Sequence, residues 1–511
     1  MDTVGTHMML HRPERAKVLW LGAAPQPTHR TEHAHRGLAL CEVELEDFQH
    51  GALDLAHSRG LVLCAMPPKV SAVTAVLDCV AHALNHGLYV VVMLADSLAH
   101  GFVQEKLEKL LPKGPALDRV QYRIGATPPE IAEIFARHDP GPAVNRGLHI
   151  HRPDGLLLTE AQTFLLQRAF ADCDSVALSP LTGGRSAMTV LVQATLSNSM
   201  AGPHPLPFFA KLDRAAYIVT ERECYERYAD SHIAWHLRPN LQPRRCIVGT
   251  DLGILVGSFV TRSESFWALI LEGRAGRAIT NLFEETLSGW RAPEAALQSE
   301  VGSIAPALCK VFVYQNVRKR YLQAAAGLGF VREPQAVWES FLNLPTRIWP
   351  KAPVHGDMHA DNARVRGEDT IIIDLARVVL GPPSADPACM EVWIAFQMPP
   401  SQYGVDEGQW LATVKDLFAV RHVLTPPAAQ PDGSLPWLRD AVLQTRHVAL
   451  ASSPGVDYAI TLALYLLRRA MFEPDADAPQ ADSARRTWAW ILGCQLLEGV
   501  RAQCLEYREA A

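Results

Sequence analysis

One string constrains this chain more than any other: VHGDMHADNARVRGEDTIIIDLARV, residues 354–378. His355, Gly356 and Asp357 fall in a polar loop after a helical run that ends near 348, and Asn362 comes five residues after Asp357. TIIID then reads as an apolar strand that delivers Asp374 at its C-terminal end. One loop and one strand end therefore present an aspartate, an asparagine and a second aspartate together. Hard oxygen donors of this kind suit Mg²⁺, which takes one or two carboxylates and completes its shell with substrate phosphates. The remaining aspartate can orient a hydroxyl nucleophile and accept its proton.

HGDMHADN followed by IIID resembles the HGDxHxxN…ID signature of the aminoglycoside-phosphotransferase and choline-kinase-like families, relatives of the protein kinases. The Asp-to-Asn spacing equals that of the protein-kinase HRDxxxxN loop. The resemblance spans roughly residues 175–400 and implies a two-lobed, protein-kinase-like α+β domain that uses ATP and Mg²⁺. It implies Asp357 as the catalytic aspartate, Asn362 and Asp374 as metal ligands, and His355 and His359 as supports of the loop. In GPPSADPACMEV (381–392), Asp386-Pro387 stands where the family often carries an Asp-Pro pair, so Asp386 is expected to help hold the loop.

The upstream chain can be tested against the same resemblance. A kinase-like fold needs a strand-borne lysine to contact nucleotide phosphates, and Lys211 in PFFAKLD is the charge within an apolar run. A glutamate on the next helix should position that lysine. IVTERECYERY (218–228) offers Glu221, Glu223 and Glu226; Glu221 is favoured, with Glu223 close behind. A glycine turn should precede the lysine strand, and LTGGRSAMTVLV (181–192) places Gly183, Gly184 and Ser186 there, where backbone N–H groups can approach a phosphate. ALILEGRAGRAI (268–279) resembles the family's hinge, an apolar strand and a short polar loop, so the backbone at Leu271, Glu272 and Gly273 is expected to meet the adenine.

Residues 16–138 alternate short apolar runs with helical stretches: KVLWLG, ALCEVEL, GLVLCAM, YVVVMLA and RVQYRIG, with SAVTAVLDCVAHALNHG and PPEIAEIFARH between and after them. That rhythm argues for a parallel sheet covered on both faces, a flavodoxin-like domain of response-regulator-receiver type. Receiver chemistry needs an aspartate after the third strand and an acidic pair after the first; the chain has LCAMPP and LGAAPQ instead. The module is therefore read as receiver-like without phosphotransfer, a docking unit for a protein partner, a second copy or its own kinase lobe. HDPGPAVNRGLHIHRPDG (138–155) has linker composition. The expected layout is an α/β receiver-like domain at 1–140, a linker at 141–155, a kinase-like N-lobe at 156–273 and a C-lobe with a helical C-terminal region at 274–511.

Composition narrows the classes. Of 511 residues, 48% are hydrophobic and 20% charged, which excludes whole-chain disorder. A net charge of -6 disfavours a general nucleic-acid coat. No apolar leader or 20-residue apolar span occurs, and ten scattered cysteines form no CxxC, which fits a reducing cytoplasm. His29, His33 and His35 could bind a transition metal or lie in a polar loop after the first strand. His232 and His236, at helical spacing, lack the HExxH glutamate. KVFVYQNVRKRY (310–321), with aromatics among its Arg and Lys, reads as a solvated helix face rather than a contact for nucleic acid or an acidic substrate, and Trp488 and Trp490 as core. The expected activity is ATP- and Mg²⁺-dependent phosphoryl transfer to a hydroxyl of a small molecule or protein, in bacterial signalling or defence. A nucleotide-binding regulatory pseudokinase and a nucleotidyl transferase are the alternatives.

Overall fold

In a computed structural model the described residues are 16–49, 55, 57–64, 70–94, 104–105, 115–181, 188–197, 206–291, 298–425, 427 and 433–509. They fall into two compact units. The first holds Met1–Arg222 with Asn240–Phe259, the second Glu223–Pro239 with Val260–Ala511.

The first unit opens on five short strands: β1 (Ala16–Gly22), β2 (Leu38–Val43), β3 (Ser58–Cys64), β4 (Tyr89–Leu94) and β5 (Val120–Ile124). They form one parallel sheet in the order β2-β1-β3-β4-β5. Successive strand side chains point to opposite faces, so both faces must be covered. Leu19, Leu61, Leu63 and Val90 pack on Leu77, Val80 and Leu84 of the helix Val70–Asn85. Their neighbours Val18, Trp20, Val62 and Val91 pack on Ile131 and Phe135 of the helix Pro128–Arg137. In a doubly wound sheet of this order a ligand would sit where β1 and β3 diverge. Here Gly22 (φ +105°) runs so close to β3 that a Cβ would lie 1.8 Å from the Cys64 carbonyl oxygen. A side chain at this position would therefore collide with β3. Burial pushes the Cys64 thiol up to about 12, so it is no nucleophile. The rest of the Cys64-Ala65-Met66 run lies outside the described residues.

The polar loop foreseen after β1 is instead the helix Pro27–His35, entered through a proline in its first turn. His29 meets the Trp20 ring edge-on, and His33 is fully buried near Phe135. Among the described residues no group of three or more His, Cys, Asp or Glu could hold a metal ion.

The second sheet of this unit contains β6 (His149–His151), β7 (Cys173–Pro180), β8 (Met188–Leu196), β9 (Leu206–Arg214), β10 (Ile247–Val248) and β11 (Leu252–Ser258), in the order β10-β11-β9-β8-β7-β6. Its pairs are antiparallel except β6–β7. The helix Glu160–Ala169 covers it with Leu165, Leu166 and Ala169.

Part of the expected linker is therefore sheet: 149–151 is β6. The preceding turns are also tied down. Arg168, 1% exposed, donates to the carbonyl oxygens of Asn85 (2.5 Å), Pro140 (2.7 Å) and Pro142 (3.0 Å). Asn85 Oδ1 accepts from Thr250 N (2.9 Å) and Oγ1 (3.1 Å), and Arg119 Nη2 donates to Val248 O (2.9 Å). Proline-rich composition signals turns; it does not reveal a distant guanidinium that collects their carbonyls. Arg168→Ala should cost about 2–3 kcal/mol, because three half-buried carbonyls lose a charged donor. Denaturant unfolding checks this, and a loss below about 1 kcal/mol would contradict it.

In the second unit the strands are β12 (Glu264–Ser265), β13 (Gln298–Gly302), β14 (Arg347–Val354), β15 (Ala363–Arg366), β16 (Asp369–Ile372) and β17 (Val379–Gly381). They make two small sheets, β12-β15-β16 and β13-β14-β17. The helices Ala385–Phe396, Pro436–Ser452, Gly455–Arg469 and Pro479–Glu509 supply the main core, including Ile394, Val442, Leu464 and Trp490. Lys415 Nζ lies 4.1 Å over the Trp488 ring. Among the described residues no helix is long and apolar enough to cross a membrane.

The run FWALILE is not the strand expected for a hinge. Phe266–Leu271 is a helix, capped by Ser265 Oγ, which accepts from Ala268 N (3.3 Å). Phe266, Trp267, Leu269, Ile270 and Leu271 are all buried, and an apolar run buried all round carries no period that separates helix from strand. Leu271 faces the core, Glu272 pairs with Arg274 (2.8 Å), and Gly273 lines a cavity of about 520 Å³ with Trp437 and Gln444. The apolar strand that ends next to the unit boundary is β11, followed by Phe259 and Val260. Likewise 232–236 is not helical; it leads into a single 3₁₀ turn at Trp235–Leu237. Only part of 310–321 is helix, from Lys319, and Tyr321 is buried there rather than solvated.

Candidate active site

In the second unit β14 carries the chain into His355-Gly356-Asp357, and the β15–β16 hairpin returns it to Asp374. A single carboxylate fixes the entry. Asp386, at the start of the helix Ala385–Phe396, accepts from His355 N (2.8 Å) and Gly356 N (3.2 Å). Burial pushes the Asp386 carboxyl up, against the pull of His355 and these two bonds. His355 is itself fully buried, its Nε2 at 3.1 Å from Ile373 O. Gly356 (φ +74°) is required here, because a Cβ would stand 2.5 Å from Arg377 O. Two loop ends are thus sewn together around Asp357.

Asn362 Nδ2 donates to Asp357 O (2.9 Å), and Asn362 O accepts from Ile373 N (2.9 Å). The amide nitrogen is committed, which makes Oδ1 the atom suited to a hard cation. Asp374 adopts φ +59°, a left-handed conformation that an aspartate tolerates better than a branched residue and that turns the chain just past β16. An amide oxygen and one carboxylate fit Mg²⁺ that relies on phosphate oxygens for the rest of its shell.

Asp357 is flanked by cations. Its Oδ1 lies 2.9 Å from Arg468 Nη2 and its Oδ2 3.7 Å from Arg377 Nη1. Burial alone would raise its pKa; Arg468, His359 and Arg377 together outweigh burial and hold it below the usual carboxylate range. His359 stacks on Trp393 (centroids 5.5 Å apart, planes at 14°). Burial lowers its pKa to about 4 despite Asp357, so near neutral pH the imidazole is uncharged.

In the first unit Lys211, on β9, forms an ion pair with Glu221 of the helix Ala215–Cys224 (Nζ–Oε2 2.8 Å). The side chains are only 14% and 8% exposed, where such a pair is well ordered. Glu221, rather than the exposed Glu223, is the partner of Lys211. Gly183, Gly184 and Ser186 lie outside the described residues.

Three residues at this site were not foreseen: Arg468, Arg377 and Trp393. Arg468 ends the apolar run AITLALYLLRR, where a basic pair reads as an ordinary helix terminus. Its partner stands 111 positions earlier, and no local pattern carries that distance.

The Asp386 clamp and the Asn362 bond to the Asp357 carbonyl hold the loop that presents the Asp357 side chain. Residues 290–415, about a quarter of the chain, match the family model "Phosphotransferase enzyme family". No curated protein matches the chain in sequence. Solved structures similar to it include an aminoglycoside phosphotransferase from Streptomyces rimosus (16% identity, 56% of this chain and 99% of that one covered, TM-score 0.30). A choline/ethanolamine kinase family protein from Mesorhizobium loti is another (15%, 64% and 92%, 0.30). A glucosamine kinase in complex with glucosamine, ADP and inorganic phosphate is a third (11%, 69% and 88%, 0.34).

Proposed function

We propose that the protein is an ATP- and Mg²⁺-dependent phosphotransferase acting on a hydroxyl. The observation that supports this best is the loop in which Asp386 grips the backbone on either side of the His355–Gly356 bond, while Asn362 grips Asp357 O. Such a clamp holds Asp357 at a fixed position, which is what phosphoryl transfer asks of its base. Asp357 accepts the hydroxyl proton as the acceptor oxygen bonds to the γ-phosphorus. The bond from that phosphorus to the bridging oxygen breaks, and ADP leaves with the electron pair. Lys211, oriented by Glu221, contacts nucleotide phosphates. Asn362 and Asp374 would hold Mg²⁺, which when bound neutralises charge on the phosphates. His355 braces the loop through Ile373 O, and neutral His359 fixes its far side against Trp393.

The backbone following β11 is the proposed adenine edge, in place of Leu271–Gly273, because it follows a strand and they do not. For Gly183, Gly184 and Ser186 a phosphate contact is proposed. The strand order β2-β1-β3-β4-β5 supports a flavodoxin-like reading of the N-terminal sheet, with a docking rather than a phosphate-accepting use. The second reading, a nucleotide-binding pseudokinase, draws on the Asp357–Arg468 ion pair, which occupies the base.

The experiment is calorimetry of AMP-PNP binding with and without Mg²⁺. Asp374→Asn should weaken Mg²⁺-dependent binding about 10-fold or more, since an amide lacks the carboxylate charge. Unchanged affinity in that variant removes Asp374 from the metal site.

A further inference from the structure

The phosphotransferase reading, on which this inference rests, leaves the acceptor open; the charges beside Asp357 narrow it. An acceptor must bring its hydroxyl to Asp357. Each oxygen of that carboxylate already faces a guanidinium, Arg468 at 2.9 Å and Arg377 at 3.7 Å. Arg468 is 14% exposed, and its guanidinium lies over the rings of Tyr465 (5.7 Å) and Phe472 (5.6 Å). It is held in place by helix packing and cannot swing away to water as a surface arginine would. Arg377 comes from the other side, three residues beyond Asp374, and is 63% exposed. Of the three groups that act on Asp357, Arg468 and Arg377 are cations and His359 is neutral near pH 7. Two full positive charges therefore border the place where an acceptor must sit.

An alcohol that carries an ammonium group would meet both guanidiniums at close range. At low screening, each repulsion is worth about tenfold or more in affinity. When Asp357 takes the acceptor's proton it loses its charge, and Arg468 loses its counter-ion. The nearly buried guanidinium then needs another anion, because an unpaired buried charge is costly. Arginine forks match planar oxyanions in two-point contacts.

We propose that the acceptor is an alcohol that also bears an oxyanion, a carboxylate or a phosphate ester, which Arg468 and Arg377 grip while Asp357 holds the hydroxyl. Arg468 and Arg377 are then specificity-determining residues.

The test uses the full chain with Mg²⁺ and γ-labelled ATP, and three acceptor pools beside a glycerol control. One pool holds hydroxy-carboxylates (glycerate, gluconate, glucuronate). The second holds phosphate monoesters (glycerol 3-phosphate, glucose 6-phosphate), and the third amino alcohols (ethanolamine, choline, glucosamine). Label should enter one anionic pool at least about tenfold faster than the amino alcohols; which pool is labelled tells carboxylate from phosphate. Arg377→Glu should raise KM for that pool about tenfold or more with a smaller change in kcat, and Arg377→Lys should restore most of it. Preferential labelling of the amino alcohols, or labelling of neither anionic pool above glycerol, overturns the proposal. So does an Arg377→Glu variant with unchanged KM. AMP-PNP binding on the same sample keeps the two levels apart: its absence sinks the phosphotransferase reading, whereas intact binding with a preference for amines sinks only the acceptor class.

Discussion

Asp357→Asn should lower phosphoryl transfer about 10²–10⁴-fold while nucleotide affinity stays within about twofold. Asparagine keeps the shape of the side chain, and its amide oxygen can still accept from Arg468. It cannot take the acceptor proton. The carboxylate it replaces has its pKa lowered, with the Arg468 and Arg377 guanidiniums beside it, so the proton-accepting form is present at neutral pH. The loop should survive the change. Its clamp runs through Asp386 to the backbone of His355 and Gly356, and Asn362 binds the Asp357 carbonyl, not its side chain. A control follows from that clamp. Asp386→Ala leaves two N–H groups of the loop without their acceptor and should lose activity through misplacement of Asp357, with lowered stability as well. Turnover by Asp357→Asn at the unmodified rate would remove this residue from the chemistry.

Arg446→Ala should lower the stability of the second unit by about 3–5 kcal/mol, the cost of leaving a buried charge unpaired. Arg446 and Glu391 are both fully buried. The guanidinium meets both oxygens of Glu391 and also donates to Leu417 O (3.0 Å) and His422 O (2.8 Å). Tyr458 donates its hydroxyl to Glu391 as well. One arginine therefore ties the helix Pro436–Ser452 to Ala385–Phe396, to the end of Glu407–Leu417 and to the helix Val420–Leu424. Alanine would strand Glu391 and two carbonyls in a dry core. Replacing both members, Glu391→Met with Arg446→Met, should recover much of the loss, because the desolvation cost goes with the charges. Denaturant unfolding of the single and double variants measures this. A loss below about 1 kcal/mol for Arg446→Ala would mean that water reaches the pair.

What could be read from the chain beforehand follows a physical rule. The 354–378 loop stood out because a few polar residues recur there at fixed spacing, and in the structure Asp386 clamps the backbone of His355 and Gly356 while Asn362 binds the Asp357 carbonyl. The Lys211–Glu221 pair was legible for a similar reason, a lone charge inside an apolar strand followed by a helix of acids. The parallel order of the first sheet followed from alternation of short apolar runs with helices. Three misreadings share the opposite cause. FWALILE is apolar at every position, so no period betrays its helix. The Pro/Gly-rich 138–155 segment looked like a free linker, yet Arg168, far along the chain, collects its carbonyls and β6 extends the sheet. The histidines after β1 looked solvated, yet two of them turn inward against Trp20 and Phe135. Arg468 had no local signature at all; only the fold brings the end of the helix Gly455–Arg469 to Asp357.

The most direct test of the account is product analysis after incubating the full chain with ATP, Mg²⁺ and the hydroxyl acceptor pools. The account predicts that the γ-phosphoryl group appears on an acceptor oxygen with one ADP formed per transfer, and that Asp357→Asn removes nearly all of it. Formation of an AMP adduct with release of pyrophosphate, or nucleotide binding with no transfer to any acceptor, would contradict it.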